Sequence, residues 1–151
     1  QMLTFNQKPS EGLAILATYD PASVAASTVT TGWVDASLFF ALMLLIQTGV
    51  LGASATLDAK LQQATDSGGT GVKDITGKAI VQILKASGDN KQALLQMKVA
   101  DLDTENGFRY VRASFTVGTA ASIFGACLMG FLPRQQTAAA STQAGVVQVV
   151  G

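Results

Sequence analysis

Three acidic side chains close together are the first candidates for chemistry. Asp101, Asp103 and Glu105 stand at alternate positions, and Asn106 and Gly107 follow them. Clustered carboxylate oxygens are ligands for calcium, and a pair of carboxylates performs glycoside hydrolysis. The spacing is not that of an EF-hand, no helical pattern flanks it, and carboxylates within one turn seldom face each other across a substrate. A carboxylate hydrolase is the one enzyme class left open, but we predict a solvated loop that ends in a tight turn.

A glycine-rich segment, Ala64–Gly77, raises the possibility of phosphate binding. Gly68, Gly69 and Gly71 fall within four positions. Phosphate-binding loops require a Gly-Lys-Ser/Thr sequence at Walker spacing and a helix after the loop, and this chain has neither. We therefore predict a hairpin tip or surface loop that binds no nucleotide.

The remaining reactive residues do not form a recognisable site. The chain contains no histidine and one cysteine, Cys127, within an apolar stretch. This composition excludes a Ser-His-Asp triad, a Cys-His dyad and an ordinary zinc site, and it indicates a buried structural thiol. Arg109 and Arg112 are predicted on opposite faces of one strand, where each suits a salt bridge or a subunit contact rather than a shared anion. We assign no catalytic, cofactor-binding or metal-binding residue and predict that the protein is not an enzyme.

The charge content limits the choice of partner. Of 151 residues, 48% are hydrophobic and only 13% are charged, and the ten basic residues balance ten acidic ones without forming a run. No basic patch for nucleic acid is present. A length of 151 residues suits one domain with short extensions, and a surface so poor in charge suggests that other subunits cover much of it.

The uncharged stretch Ala36–Ala53 approaches the length of a transmembrane helix. Polar residues and glycines fill its second half, and no Lys or Arg cluster flanks either end, as membrane orientation normally requires. Its strongly apolar part is Leu38–Ile46, the length of a buried strand. We predict a strand and no membrane partner.

Alternation with a period of two predicts strands with one buried face. It occurs in residues 55–62, 92–99 and 108–117, with Leu94 the exception in the second segment. Ser122–Leu132 is apolar on both sides, which predicts a strand that is central or covered by a neighbour.

Shorter segments add two more predicted strands. Ser27–Val34 is rich in Thr and Val, and Ala79–Leu84 is a short apolar run between turn signals. Many short strands without a helical repeat indicate an all-β, antiparallel sandwich of jelly-roll type.

The two ends of the chain differ from its middle. Residues 1–28 contain Pro9, Gly12 and Pro21 among short apolar groups, and residues 135–151 carry no charge. We predict an N-terminal arm over 1–28, a sandwich domain over 29–134 and a C-terminal arm over 135–151. Val146–Val150 could add as a strand to another chain.

An ordered series of segments resembles a family of small structural proteins of tailed bacteriophages. Between Gly32 and Arg134 the series is GVLGASATLDAKLQQATD, GGTGVKDITGKAI, DNKQALLQMKVADLD, GFRYVRASFTVGTAAS and GFLPR. The resemblance implies a non-enzymatic β-sandwich protein of decoration or cement type, which binds the outer surface of a phage capsid and stabilises it. It implies two partners, the major capsid protein and further copies of itself, with a trimer expected. It also implies a place in the virion after assembly in the cytoplasm of a bacterial host, and no cofactor or small-molecule substrate. A tail, fibre or adhesion module is the alternative.

Overall fold

Ten β-strands make up most of the regular structure of residues 6–151, the part of the chain that the computed structural model describes. In chain order they are β1 (Leu13–Val24), β2 (Ser27–Thr30), β3 (Val34–Asp35), β4 (Phe39–Thr48), β5 (Thr56–Ala64), β6 (Lys73–Ala79), β7 (Ile83–Leu84), β8 (Gln92–Lys98), β9 (Tyr110–Gly118) and β10 (Ser122–Pro133). The connections contain two four-residue α-helices, α1 (Pro9–Gly12) and α2 (Lys85–Gly88). They also contain short 3-10 helices at Ala36–Leu38, Val99–Asp101, Thr104–Asn106 and Ala138–Ser141.

The strands form two antiparallel sheets packed face to face. One sheet has four strands in the order β1-β10-β4-β8. The other has six, in the order β2-β9-β5-β6, with β3 also paired to β9 and β7 also paired to β5. If β2 with β3 and β6 with β7 are each taken as one interrupted strand, the chain moves between the sheets in the eight-position order of a jelly roll. The predicted all-β antiparallel jelly-roll sandwich is therefore confirmed.

The core lies between the two sheets and consists of aliphatic and aromatic side chains. The period-two alternation of β5 is confirmed, because Leu57, Ala59 and Leu61 are buried. Phe115 of β9 and Phe124 of β10 meet across the core with ring centroids 5.1 Å apart, and Tyr19 stacks on Phe124 at 5.2 Å. These rings join the sheets near the middle of the sandwich, where aromatic pairs add to the burial energy.

Gly130 shows how closely the layers approach. A Cβ at this position would lie 2.8 Å from the ring of Phe39 and 2.9 Å from the side chain of Leu16. Only glycine leaves room there for the buried Phe39 ring.

The predicted N-terminal arm over residues 1–28 is wrong from residue 13 onward. β1 is the edge strand of the four-stranded sheet, and its inward side chains Ala14, Ala17 and Val24 are buried. Pro21 lies where the register with β10 shifts. An edge strand tolerates proline at such an irregularity because the missing N–H leaves no gap in a ladder on its outer side. The sandwich thus begins at residue 13 rather than 29, and residues 1–5 of the predicted arm lie outside the described part.

Ala79–Leu84 is not one strand, contrary to the prediction. β6 ends at Ala79 and β7 contains only Ile83 and Leu84. Ile80, which lies between the two strands, and Ile83 of β7 pack against the core, whereas Val81 is 91% exposed. The apolar run therefore crosses over the end of the sheet instead of extending it.

The C-terminal segment is an arm only in part. Ala138 is fully buried, and Gln143 donates its backbone N–H to the carbonyl oxygen of Ile15 at 2.7 Å. The Gln143 side-chain amide also donates to Thr18 Oγ1 at 3.2 Å. Residues 135–143 therefore lie against β1 of their own sandwich. The valines that follow are exposed, and an oxygen of Gly151 accepts a hydrogen bond from Lys8 Nζ at 2.9 Å.

The uncharged stretch Ala36–Ala53 forms a 3-10 turn followed by β4, a central strand of the four-stranded sheet, as predicted. Within residues 6–151 no helix has both the length and the apolar character needed to cross a membrane.

Replacing Phe124 by Ala should lower the free energy of unfolding by about 3–5 kcal/mol, because a cavity remains between Phe115 and Tyr19. Urea unfolding followed by circular dichroism measures the change. The matched control is Val81→Ala, which removes an exposed side chain and should change stability by less than about 0.5 kcal/mol. Equal effects of the two substitutions would contradict the core position of Phe124.

Candidate interaction surface

The outer face of the four-stranded sheet is a continuous and mainly apolar surface that the strand pairing creates. We call it the four-stranded face. Cross-strand neighbours arrange its outward side chains in rows that run from β1 through β10 and β4 to β8. Three rows, which are apolar except at Thr18, Gln96 and Lys98, are Leu13-Phe131-Ala41-Lys98, Ile15-Met129-Met43-Gln96 and Thr18-Cys127-Leu45-Leu94.

The centre of the four-stranded face contains no charge, and its rim is polar. Leu94, at the β8 edge, is 62% exposed, and Ile123, at the end of β10, is 45% exposed. Gln47 and Gln92 hydrogen-bond to each other at 2.8 Å and border the face at one end. A rim of this kind around an apolar centre is typical of protein interfaces.

Two hollows interrupt the face. One, of about 320 Å³, lies where Pro21 bends over Gly125 and is lined by apolar side chains such as Ile123 and, at its border, by Asp20 and Gln47. The second, of about 670 Å³, lies beside β4 and β8, where Phe131, Lys98 and the ion pair of Lys78 with Asp101 line it. A Cβ on Gly125 would lie 2.8 Å from Pro21, so only glycine allows Pro21 to approach β10 this closely beside the first hollow.

Cys127 lies in the same row of the four-stranded face as Leu45 and Leu94 and is half-buried. Burial, together with the nearby Asp20 carboxylate, raises the pKa of its thiol. A thiol of this kind is mostly protonated at neutral pH and reacts slowly, because the thiolate is the nucleophile. The prediction of a structural thiol fits this position, except that the side chain faces the outer surface and not the core.

The acidic cluster of the sequence does not converge. Asp103 accepts hydrogen bonds from Lys73 Nζ and from the Asn106 side-chain amide, and Asp101 pairs with Lys78 at 3.5 Å. These bonds, that from Lys73 above all, hold the pKa of Asp103 below its ordinary value. Among residues 6–151 no group of three or more His, Cys, Asp or Glu side chains is placed to hold a metal ion. The cluster instead fastens the turn at residues 103–107 to the β5–β6 hairpin.

Arg109 and Arg112 serve different contacts, as their predicted positions require. Arg109 donates to Asp35 at 2.7 Å. Arg112 donates to Gln62 at 3.0 Å and lies over the Trp33 ring, 4.6 Å from its centroid. The two guanidinium groups therefore do not form an anion clamp.

The outer face of the six-stranded sheet differs from the four-stranded face, because its polar side chains bind one another. Thr28 and Thr116 share a hydrogen bond at 3.0 Å, and Asp74 accepts from both Lys60 and Gln62. Because these side chains already hydrogen-bond to each other, they have few donors or acceptors left for a ligand.

The glycine-rich loop between β5 and β6 is a hairpin tip, but the predicted segment Ala64–Gly77 is too long, because residues 73–77 belong to β6. Asp66 caps it by accepting from the backbone N–H of Gly68 and Thr70. A Cβ on Gly69 would lie 2.8 Å from Nε1 of Trp33, so the loop packs against the indole. The backbone N–H groups of this loop therefore stabilise the loop itself and are not directed at a bound anion.

The last residues form a second apolar surface. Val147, Val149 and Val150 are 94%, 62% and 84% exposed, and the segment pairs with no strand of the described chain. We call residues 146–150 the valine segment.

Sequence analysis identified the valine segment and the two-sided strand β10, but not the four-stranded face. Its signals were Leu94, the exception in the alternation of β8, and the apolar outward positions of β10 and β4. Strand order could not be read from those signals, so the rows of neighbours could not be assembled.

No family model and no curated protein sequence matches the chain. Among solved structures, the SPBc2 prophage-derived protein YomS is 13% identical, covering 77% of this chain and 92% of its own, with a TM-score of 0.42. Cowpea mosaic virus top component, the naturally occurring empty particles, is 9% identical over 87% of this chain and 91% of its own, with a TM-score of 0.44. The CBM22-2 xylan-binding domain of Paenibacillus barcinonensis Xyn10C is 6% identical over 79% and 98%, with a TM-score of 0.42. Since these TM-scores lie below 0.5, the fold class rests on the strand order of this chain.

Replacing Asp103 by Asn should destabilise the protein at neutral pH. The folded-state pKa of Asp103 is below the ordinary value of 3.8, so its carboxylate stabilises the fold above that pH. The stabilisation is lost as the pH falls through the lower, folded-state pKa, and the difference between variant and wild type should shrink there. Urea midpoints at neutral and acidic pH measure this.

Glu105→Gln is the matched control, because its carboxylate makes no hydrogen bond or ion pair within residues 6–151. It should leave the urea midpoint unchanged at both pH values. A calcium-dependent rise in the Tm of the wild type that disappears in Asp103→Asn would overturn the assignment of this turn as structural.

Proposed function

We propose that this protein is a non-enzymatic structural protein of a phage virion that binds the outer surface of the capsid and stabilises it. The observation that carries the proposal is the valine segment, an exposed apolar strand sequence outside the sandwich. Support also comes from the resemblance of Gly32–Arg134 to tailed-phage structural proteins and from a surface poor in charge.

The valine segment has the composition of a strand that pairs with another chain. Val is β-branched and favours extended backbone, and alternate Val side chains can fill pockets while the backbone extends a sheet. Burying one Val side chain contributes about 1.5–3 kcal/mol. Several such residues bound to a lattice of identical sites would give a strong combined attachment.

The base of the tail holds this segment in one place. Ala138 is buried and Gln143 is bound to Ile15 and Thr18, so the free part begins only after these anchors. A short free segment on a fixed base loses less conformational freedom on binding than a long disordered arm. The sandwich would lie over junctions between capsid subunits while the segment reaches a neighbouring subunit and resists expansion of the shell.

The partners of this proposal are the major capsid protein and further copies of the chain. Its location is the virion, assembled in the bacterial cytoplasm, where a single cysteine, Cys127, is compatible with reducing conditions. Nucleic acid, membrane, cofactor and small-molecule substrate have no part in it.

An adhesion module is the competing function, and the geometry of Trp33 counts against it. Sugar sites stack their ligand on an exposed aromatic ring, whereas here Arg112 covers the indole face and Gly69 packs against its Nε1 edge. Glycan-array binding by the isolated protein would favour adhesion over capsid binding.

Removal of residues 146–151 should abolish sedimentation of the protein with assembled capsids. The triple variant Val147→Thr, Val149→Thr and Val150→Thr should weaken it at least about tenfold, because Thr keeps the β-branched shape and removes apolar area. Val81→Thr, an equally exposed valine outside the segment, is the matched control. Undiminished sedimentation of the truncated protein would contradict the role of the segment.

Virions assembled without the protein should release their DNA at a lower temperature than complete virions, and adding purified protein should restore the difference. Dye access to DNA during heating measures release. If complete and deficient virions release DNA at the same temperature, the protein does not stabilise the shell.

A further inference from the structure

We infer that the four-stranded face is the contact between two copies of this chain, related by a twofold axis that lies between the packed faces. This inference goes beyond the proposed function, since it concerns the free protein and uses a surface other than the valine segment.

The size of the face suits a stable dimer. Four strands spaced about 4.8 Å apart and the ten residues of β4 at about 3.4 Å each define a surface of about 650 Å². The relief of the side chains enlarges this area toward the roughly 800 Å² that each partner contributes to a stable interface. The face therefore provides enough area for a dimer of this chain without any further contact.

The composition of the face favours an apolar sheet as its partner. The rows that begin at Ile15 and Thr18 contain no charged residue and present Met43, Leu45 and Leu94. Two sheets pack face to face at a separation of about 10 Å when both contribute apolar side chains. A second copy meets this requirement automatically, because it presents the same rows.

The charges at the rim are complementary between two copies. Asp20 lies on β1 at the border of the Gly125 hollow, at one corner of the face, and Lys98 lies on β8 beside Ala41, at the diagonally opposite corner. Neither side chain forms an ion pair within residues 6–151. A twofold axis perpendicular to this diagonal places Asp20 of each copy opposite Lys98 of the other, with the strands of the two sheets crossing.

Leu94 lies close to this axis. The axis leaves the face at the β8 edge, near Leu94, which is 62% exposed. Leu94 of one copy therefore packs against Leu94 of the other. This contact is isologous and builds a dimer, whereas the resemblance implied a trimer.

The first test is the mass of the full chain by light scattering over a range of concentrations. The expected mass is twice the 15.6 kDa of the chain. Leu94→Lys should raise the Kd of the dimer at least about tenfold, because it places a charge in the apolar row. Val81→Lys, the same kind of change at an exposed site off the face, should leave the Kd unchanged.

Charge exchange gives a second test that does not depend on apolar packing. Asp20→Lys alone and Lys98→Asp alone should each weaken the dimer, because each places like charges at both corners. A mixture of the two variants should form heterodimers, and the double variant Asp20→Lys/Lys98→Asp should dimerise like the wild type. Asp58→Lys and Lys91→Asp, which lie off the face, are the matched controls and should not alter the mass.

Cys127 supplies a third readout within the same row. Its alkylation by a maleimide should slow as the concentration of wild-type protein rises, and in Leu94→Lys the same slowing should require at least about tenfold higher protein concentrations. A monomer or a trimer, no rescue by charge exchange, or concentration-independent alkylation of the wild type would each overturn the inference. Loss of capsid sedimentation on removing the valine segment, with the dimer intact, would separate this contact from the proposed capsid contact.

Discussion

The two-sided apolar strand β10 is the constraint on which the rest of the structure depends. Its inward side chains Phe124, Ala126 and Leu128 form the core with the opposite sheet, and their neighbours Cys127 and Phe131 point the other way. A strand that is apolar on both faces must have both faces covered. The opposite sheet covers the inner face of β10. The jelly-roll order places β1 and β4 beside β10, and the outward residues of these three strands together form the apolar outer surface.

The two outer faces of the sandwich therefore have different chemistry. On the six-stranded sheet Asp74 and Gln62 bind each other, and the nearby Arg112 lies over Trp33, so that face is suited to water. On the four-stranded sheet the charges are confined to the corners, at Asp20 and Lys98. Ten of the twenty charged residues of this chain form ion pairs within residues 6–151, and such partly exposed pairs each contribute little to stability. The difference between the faces gives the molecule one solvated side and one side suited to contact with protein.

Much of the fold could be predicted because alternation follows directly from strand geometry. The buried positions of β5 and β9 appeared in the sequence as a period of two. The polar second half of the uncharged stretch and its short apolar part, Leu38–Ile46, distinguished β4 from a membrane helix. The N-terminal strand was missed because Gly12 and Pro21 resemble strand breakers, and only an edge position makes Pro21 tolerable. The apolar run Ala79–Leu84 was wrongly predicted to be one strand, since composition alone does not show where the hydrogen bonding between two strands ends. For the same reason the fastening of residues 135–143 to β1 could not be seen.

The sequence by itself determined that this is an all-β chain without the residues of a common catalytic or metal site, and that its ends carry little charge. These properties are local, since each depends on residue types and on the two-residue period of a strand. Only the tertiary structure decided which strands are neighbours, and hence that Ile15, Met129, Met43 and Leu94 share one surface although they are far apart in the chain. Pairing between distant strands depends on how all of them pack around one core, and no local pattern encodes that order.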